Sequence, residues 1–367
     1  MIIKSIQLHN FRNYEDLSID FTEGTNILYG ENAQGKTNIL EAANLSSTTK
    51  SHKGSKDKEM IRFGQEEAHI KTIIEKKQTL YEIDLHLKKQ KNKGIALNRI
   101  PLKKASEIYG ILNLIFFSPE DLSIIKNGPA ERRRFMDAEL CQMDKVYLSD
   151  LVNYQKACNQ RNKLLKEIPK KKEMKETLFL WNEQLIKYGR PVINRRRQFI
   201  REMNEVIQDI HSHISGEKET LFLKYEPNTE ESFFSEALIK AEERDLYQQY
   251  TTVGPHRDDV SFLINDIDIR RYGSQGQQRT SALSLKLAEI ALMKKNTGDT
   301  PVLLLDDVLS ELDSQRQNLL LDQIHDIQTI ITCTGLDEFI RNRFPLDRVF
   351  FVKEGQVRLM ENDAYQA

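Results

Sequence analysis

Gly30-Glu31-Asn32-Ala33-Gln34-Gly35-Lys36-Thr37 sets two glycines, a lysine and a hydroxyl in the spacing G-x-x-x-x-G-K-[ST]. The chemistry of that pattern is the capture of a polyphosphate. The glycines let successive backbone N–H groups turn toward phosphate oxygens, and a helix start just behind them adds partial positive charge. Lys36 is then set to reach the β- and γ-phosphates, and the Thr37 hydroxyl to hold Mg²⁺. The local setting agrees. Asn26-Ile27-Leu28-Tyr29 reads as a short buried strand, and Lys36 to Ala43 as the start of a helix. A glycine turn before an ordinary helix is the plain alternative, but the complete pattern points to a nucleoside triphosphate cradled by Gly30 through Thr37.

Two later segments have residues suited to the same site. Val302-Leu303-Leu304-Leu305-Asp306-Asp307 runs four apolar residues into two carboxylates. Beside the loop, Asp306 is expected to help Thr37 hold Mg²⁺. Asp307 is expected to act with Lys36 in catalysis, orienting or deprotonating the attacking water. Upstream, Tyr272-Gly273-Ser274-Gln275-Gly276-Gln277-Gln278-Arg279 leads into a strongly helical run. Ser274, Gln275, Gly276 and Gln277 offer a hydroxyl and open N–H groups at a helix end, a second small anion nest. Either segment alone also reads as a strand end or a helix cap.

Positioning these residues requires a core whose parts are far apart in sequence, since about 270 residues separate Lys36 from Asp306. Residues 1–118 look strand-rich: Tyr81, Ile83, Leu85 and Leu87 alternate with polar residues, and Ile111 to Phe117 is a continuous apolar run. From Ala130 to Ile168 there is neither Gly nor Pro, and Leu148, Leu151, Tyr154 and Cys158 recur at helical spacing. Further helices are expected from about Met174 to Tyr188 and from Pro191 to Ile214. Strand signals return at Val302–Leu305, Thr329–Thr332 and Arg348–Val352. The expected fold is α/β: an ATPase core of residues 1–118 and 251–367 with a mixed sheet, and an inserted all-helical lobe at 119–250.

Composition narrows the classes. In 367 residues, 54 Lys and Arg nearly cancel 55 Asp and Glu, so nucleic-acid affinity would need local clusters such as Arg132-Arg133-Arg134, Lys170-Lys171-Lys172 or Arg195-Arg196-Arg197. Consecutive arginines splay around a helix, and some are expected to pair with Glu131, Asp137 or Glu139. Lys50, Lys53, Lys56 and Lys58 are equal candidates. Three scattered cysteines argue against disulfides and zinc. No run approaches the ~20 apolar residues of a membrane span, so a cytoplasmic location is expected.

The order of motifs resembles the ABC-type ATPase superfamily, which includes SMC-like proteins: phosphate loop, Ser-x-Gly-Gln signature, paired carboxylates, then Ser310-Glu311-Leu312-Asp313. More closely, the chain is similar to the RecF family of bacterial recombination mediators. The matching segments are Leu8-His9-Asn10-Phe11-Arg12-Asn13-Tyr14, Gly30 to Thr37, Phe117 to Leu122, Pro129 to Phe135, Val253-Gly254-Pro255-His256-Arg257-Asp258-Asp259 and Gly273 to Thr280. That resemblance implies an ATP-dependent homodimer in which the signature of one subunit meets the nucleotide of the other, with Arg12 in the nucleotide-contacting set. It implies DNA repair, replication and the SOS response, backbone contacts to single-stranded, gapped or junction DNA, and a RecR-type partner. Asp307 stands where many relatives have Glu, and Thr332-Cys333-Thr334 has no switch His, so a weak, DNA-dependent ATPase acting as a switch is expected. A transporter's nucleotide-binding subunit and an SMC-like chromosome protein are the alternatives. No Asn-Lys-x-Asp motif supports a GTPase.

Overall fold

The computed structural model describes residues 1–336 and 346–360. In chain order it begins with strands β1 (Ile2–Phe11), β2 (Tyr14–Asp20) and β3 (Thr25–Tyr29), helix α1 (Lys36–Thr48), and strands β4 (Glu67–Lys76), β5 (Thr79–Lys88), β6 (Gly94–Leu97), β7 (Ile100–Pro101) and β8 (Leu114–Phe117). Helices α2 (Leu122–Lys126), α3 (Pro129–Met143), α4 (Lys145–Glu167) and α5 (Leu178–Ser215) follow. Next come β9 (Leu221–Glu226), α6 (Phe234–Lys240), α7 (Glu242–Gln248), β10 (Asp259–Ile264), β11 (Ile267–Asp268), α8 (Ile269–Tyr272) and α9 (Gln275–Thr297). The chain then forms β12 (Val302–Asp306), α10 (Ser314–Ile324), β13 (Thr329–Cys333), β14 (Arg348–Lys353) and β15 (Gln356–Leu359).

Two compact units result, Met1–Asp121 with Glu289–Ala367, and Leu122–Ala288. The first contains two six-stranded sheets. One is antiparallel, in the order β2-β1-β4-β5-β6-β7; in β5 the buried Ile83, Leu85 and Leu87 alternate with half-exposed residues, as a sheet with one wet face requires. The other, β15-β14-β3-β13-β12-β8, is parallel except for β15, and every residue of β12 and β13 is buried. Helix α1 packs against strands of both sheets, so it is buried around most of its circumference rather than along one stripe. The apolar run expected from Ile111 becomes strand only at Leu114.

The second unit is helical with a three-stranded antiparallel sheet, β11-β10-β9. The segment 251–288 falls in this unit because β10 pairs along its length with β9. The helical stretch from Ala130 breaks once, at Asp144, whose carboxylate accepts from the N–H groups of Val146 and Tyr147 and caps α4. The two helices expected on either side of Gly189-Arg190-Pro191 are one helix of 38 residues with Pro191 inside it. Tertiary packing overrides the proline: Leu185, Val192, Ile193, Phe199 and Ile200 are buried on both sides of it. Gly189 is required there, since a Cβ would lie 2.5 Å from the Phe234 ring.

Candidate nucleotide site and signature

The phosphate loop links β3 to α1. Gly30 and Gly35 have φ of +151° and +116°, conformations that L side chains rarely adopt, and a Cβ on Gly35 would lie 2.7 Å from the Tyr14 hydroxyl. No side chain caps α1, so its first N–H groups stay open to an anion. The loop is braced from outside. Asn13 donates to the Gln34 carbonyl at 3.0 Å, and the Gln34 side chain accepts from the Glu354 N–H at 2.7 Å. The Lys36 ammonium donates to the carbonyls of Gly30 and, at 2.7 Å, Glu31. Burial lowers its pKa, against the pull of Asp307, Cys333 and Asp306.

Asp306 meets the loop directly. Its Oδ1 accepts from the Thr37 hydroxyl at 2.8 Å and from the Thr332 hydroxyl at 2.8 Å. Thr332 Oγ1 in turn accepts from the Asp307 N–H at 3.0 Å. The register of β12 on β13, which pairs Asp306 with Thr332, makes this possible. Asp307 itself has φ of +54°, a bent backbone that turns the chain out of β12. Together Asn32 to Asn38, Lys53, Asp306, Asp307 and Thr332 line a cavity of about 260 Å³. Sequence reasoning missed Thr332 and Lys53 as parts of one site. Thr332 was marked only for the missing histidine, and Lys53 only as one of several basic loop residues.

Arg12 is not among the residues lining that cavity but is tied to α1, the helix that follows the phosphate loop. Its guanidinium makes a bidentate pair with Glu41 at 2.7 and 2.9 Å and donates to Ser55 Oγ at 2.9 Å. Burial raises the Glu41 pKa, but hydrogen bonds from Arg12 and Ser51 outweigh it and hold the carboxyl below its ordinary value.

Comparison with known proteins places this geometry. Residues 2–357 match the family described as RecF/RecN/SMC N terminal domain. A protein of Agathobacter rectalis named DNA replication and repair protein RecF is 66% identical over 98% of this chain and all of its own length. The chain belongs to the RecF family. The RecF protein of Lachnoclostridium phytofermentans is 59% identical over 97% of this chain and 99% of its own. A solved structure described as the recombination mediator protein RecF with ATP, in the RecFOR pathway, superposes with a TM-score of 0.91 at 36% identity, covering 98% of this chain and 97% of that one. An Smc head bound to the winged-helix domain of ScpA has a TM-score of 0.58 at 16% identity over the whole of both chains, which shows a shared fold alone.

The segment expected to act as the signature lies in the second unit, at the start of α9. Ser274, Gln275 and Gly276 are exposed. Ser274 and Gln277 form a reciprocal capping box: Ser274 Oγ accepts from the Gln277 N–H at 3.1 Å, and Gln277 Oε1 accepts from the Ser274 N–H at 2.9 Å. The serine's own proton is not used by that cap. Gln277 is held from behind by Glu219 at 2.9 Å.

The arginine runs are mostly structural. Arg132 is 2% exposed and pairs with Asp259 at 2.6 and 3.0 Å. Arg196, also 2% exposed, reaches Asp258, Asp137 and the Pro255 carbonyl. Arg195 pairs with Asp144, and Arg197 with Glu230. Their partners explain the family motif at Val253–Asp259: its two aspartates answer arginines of α3 and α5. Lys170, Lys171 and Lys172 are exposed.

Proposed function

We propose that this chain binds ATP with Mg²⁺ and dimerises around it, the signature of each subunit facing the nucleotide of the other. The closed dimer engages single-stranded or gapped DNA through backbone contacts, in recombinational repair and the SOS response, with a RecR-type protein as partner. ATP turnover is slow and acts as a timing switch. The setting is cytoplasmic; among the described residues, no helix is long and apolar enough to cross a membrane.

The observation that carries this reading is the bond between Thr37 and Asp306, 2.8 Å long and spanning 269 positions of sequence. It unites the helix start of a phosphate loop with the carboxylate that ends β12. The donors are all oxygen, a hydroxyl and a carboxylate, which suits Mg²⁺, an ion that takes one or two protein ligands and completes its shell with phosphates and water. Thr37 and Asp306 are the residues that would hold the ion, which when bound neutralises charge developing on the phosphates. Lys36 serves the β- and γ-phosphates, Thr332 fixes the Asp306 rotamer, and Asp307 is the group assigned to the attacking water. The RecF relatives named for DNA replication and repair, and one solved with ATP, support the biological setting.

The test is complementation between two defective subunits. Ser274→Arg is expected to leave ATP binding to the monomer near normal and to abolish dimerisation and hydrolysis. Lys36→Ala is expected to lose ATP binding. Mixed, they rebuild one composite site per heterodimer, so activity returns to at most about half of the two-site level. A mixture no more active than either variant alone overturns the shared site.

A further inference from the structure

The Gln277 amide does two jobs at once. Its Oε1 accepts from the Ser274 N–H, and its Nε2 donates to Glu219 Oε1 at 2.9 Å. An ionised carboxylate has no proton to give, so Glu219 takes only the NH₂ end of the amide and turns the oxygen toward Ser274. Reversed, the amide would set its NH₂ against the Ser274 N–H and open the cap.

Glu219 is itself placed from behind, in the turn from α5 to β9. Beside it, the Thr220 N–H donates to the Asn265 side chain and the Asn265 N–H to the Thr220 carbonyl, both at 3.1 Å. Those bonds tie the turn to the one between β10 and β11. The second carboxylate oxygen, Oε2, lies 3.4 Å from Nε2 of His211 in α5. The His211 side chain is fully buried, and Nε2 makes no hydrogen bond among the described residues. Ser284 Oγ of α9 lies 2.9 Å from Nδ1 of the same ring and 2.9 Å from the Thr280 carbonyl. Burial lowers the His211 pKa against the pull of Glu219, so the ring is neutral near neutral pH. A carboxylate facing Nε2 favours the tautomer with its proton there, and Ser284 then donates to Nδ1.

We propose that Glu219 is a positioning residue for the signature. By fixing the Gln277 amide it leaves the Ser274 hydroxyl proton to the γ-phosphate held by a second copy of this chain, and His211 fixes Glu219 in turn. The proposal rests on the shared nucleotide site proposed above. Through His211 and Glu219, the 38-residue helix α5 is connected to the start of α9 by side chains alone.

Three measurements on full-length protein test this. Sedimentation in ATP and Mg²⁺ reads the dimer, methylanthraniloyl-ATP titrated into dilute protein reads the monomer site, and urea unfolding reads the fold. Glu219→Ala is expected to weaken the dimer about tenfold or more, the worth of a hydrogen bond to a charged group. Nucleotide affinity of the monomer and the urea midpoint are expected to stay as in wild type. Glu219→Gln is expected to keep most of the dimer, because its oxygen still accepts from Gln277 while its NH₂ suits the other histidine tautomer. In a Gln277→Ala background, Glu219→Ala is expected to add nothing, since it acts through that amide. An unchanged dimer in Glu219→Ala, an equal loss in Glu219→Gln, or losses that add across the two positions each overturn the role of Glu219. His211→Gln, which still donates toward Glu219, is expected to dimerise better than His211→Asn, whose shorter amide reaches only Ser284. The reverse order, or no difference between the two folded variants, overturns the role of His211. Ser274→Arg is the separate control: if it dimerises in ATP like wild type, the shared site itself is wrong.

Discussion

The two units use charge in opposite ways. In the helical unit Arg132, Arg161 and Arg196 are 2%, 0% and 2% exposed, and each is met by carboxylates, carbonyls or side-chain oxygens of the same unit. In the nucleotide unit Lys36 is nearly as buried, but its partners are carbonyls of the very loop that would wrap a phosphate. A carboxylate partner completes a guanidinium and removes it from ligand chemistry. Carbonyl partners are weaker competitors and are exchanged when phosphate oxygens arrive. Partner type, more than burial, therefore separates a structural cation from a functional one.

The contrast is broken most severely at Arg161. Its guanidinium donates to Asp245 at 2.6 Å, to Thr251 at 2.9 Å and to Asn182 at 2.7 Å, with neither ion exposed. Arg161→Met strands the Asp245 charge and is expected to cost about 3–5 kcal/mol. Arg161→Met with Asp245→Leu is expected to recover part of it, since the stranded charge is gone but the Asp245 bonds to the Thr252 N–H and hydroxyl are lost with it. Urea unfolding followed by circular dichroism measures both. If the single variant loses less than about 1 kcal/mol, the pair is not what holds α4 to the Thr251 turn.

A smaller effect is expected at Arg12, where the nucleotide unit borrows the structural habit of its neighbour. Arg12→Ala leaves the Glu41 carboxylate, 1% exposed, short of its two charge-assisted bonds, at a cost of about 1.5–3 kcal/mol. The pH dependence has a definite sign. Glu41 is held below its ordinary 4.5, so the clamp contributes fully above that pH and is lost as pH falls through the lowered value. The difference between wild type and Arg12→Ala should therefore be largest at neutral pH and shrink in acid. A difference that grows on acidification contradicts the clamp.

What could be read in advance follows from how local each feature is. The phosphate loop is eight consecutive residues whose backbone makes the site, and the alternation of Ile83, Leu85 and Leu87 is one strand's own pattern, so both were legible. Asp306 was legible because a carboxylate ending an apolar run has few uses beside such a loop. Thr332 was not, because its value lies in the register of β13 on β12. Pro191 misled because burial on both sides of it holds one helix together. The arginine runs were legible in part: Arg134 pairs with Glu131 as expected, but the answering aspartates at 258 and 259 lie far along the chain, and a run of positive charge looks alike whether it meets solvent or a buried carboxylate.

The least perturbing test separates the remaining basic runs. Lys170, Lys171 and Lys172 are exposed in the turn between α4 and α5, so replacing all three with Ala is expected to change stability by less than about 0.5 kcal/mol. The same replacement at Arg132 to Arg134 removes a buried pair and is expected to destabilise strongly. DNA affinity is the second readout. If the lysines neutralise backbone phosphates of single-stranded DNA, each contact contributes about 0.7 to the slope of log affinity against log salt. Their loss should lower that slope by about two, with the weakening independent of base sequence. An unchanged slope in a fully folded triple variant would move the DNA contacts off this turn. Arg134, 70% exposed and paired with Glu131 one turn away, would then be the next member of the three runs to replace.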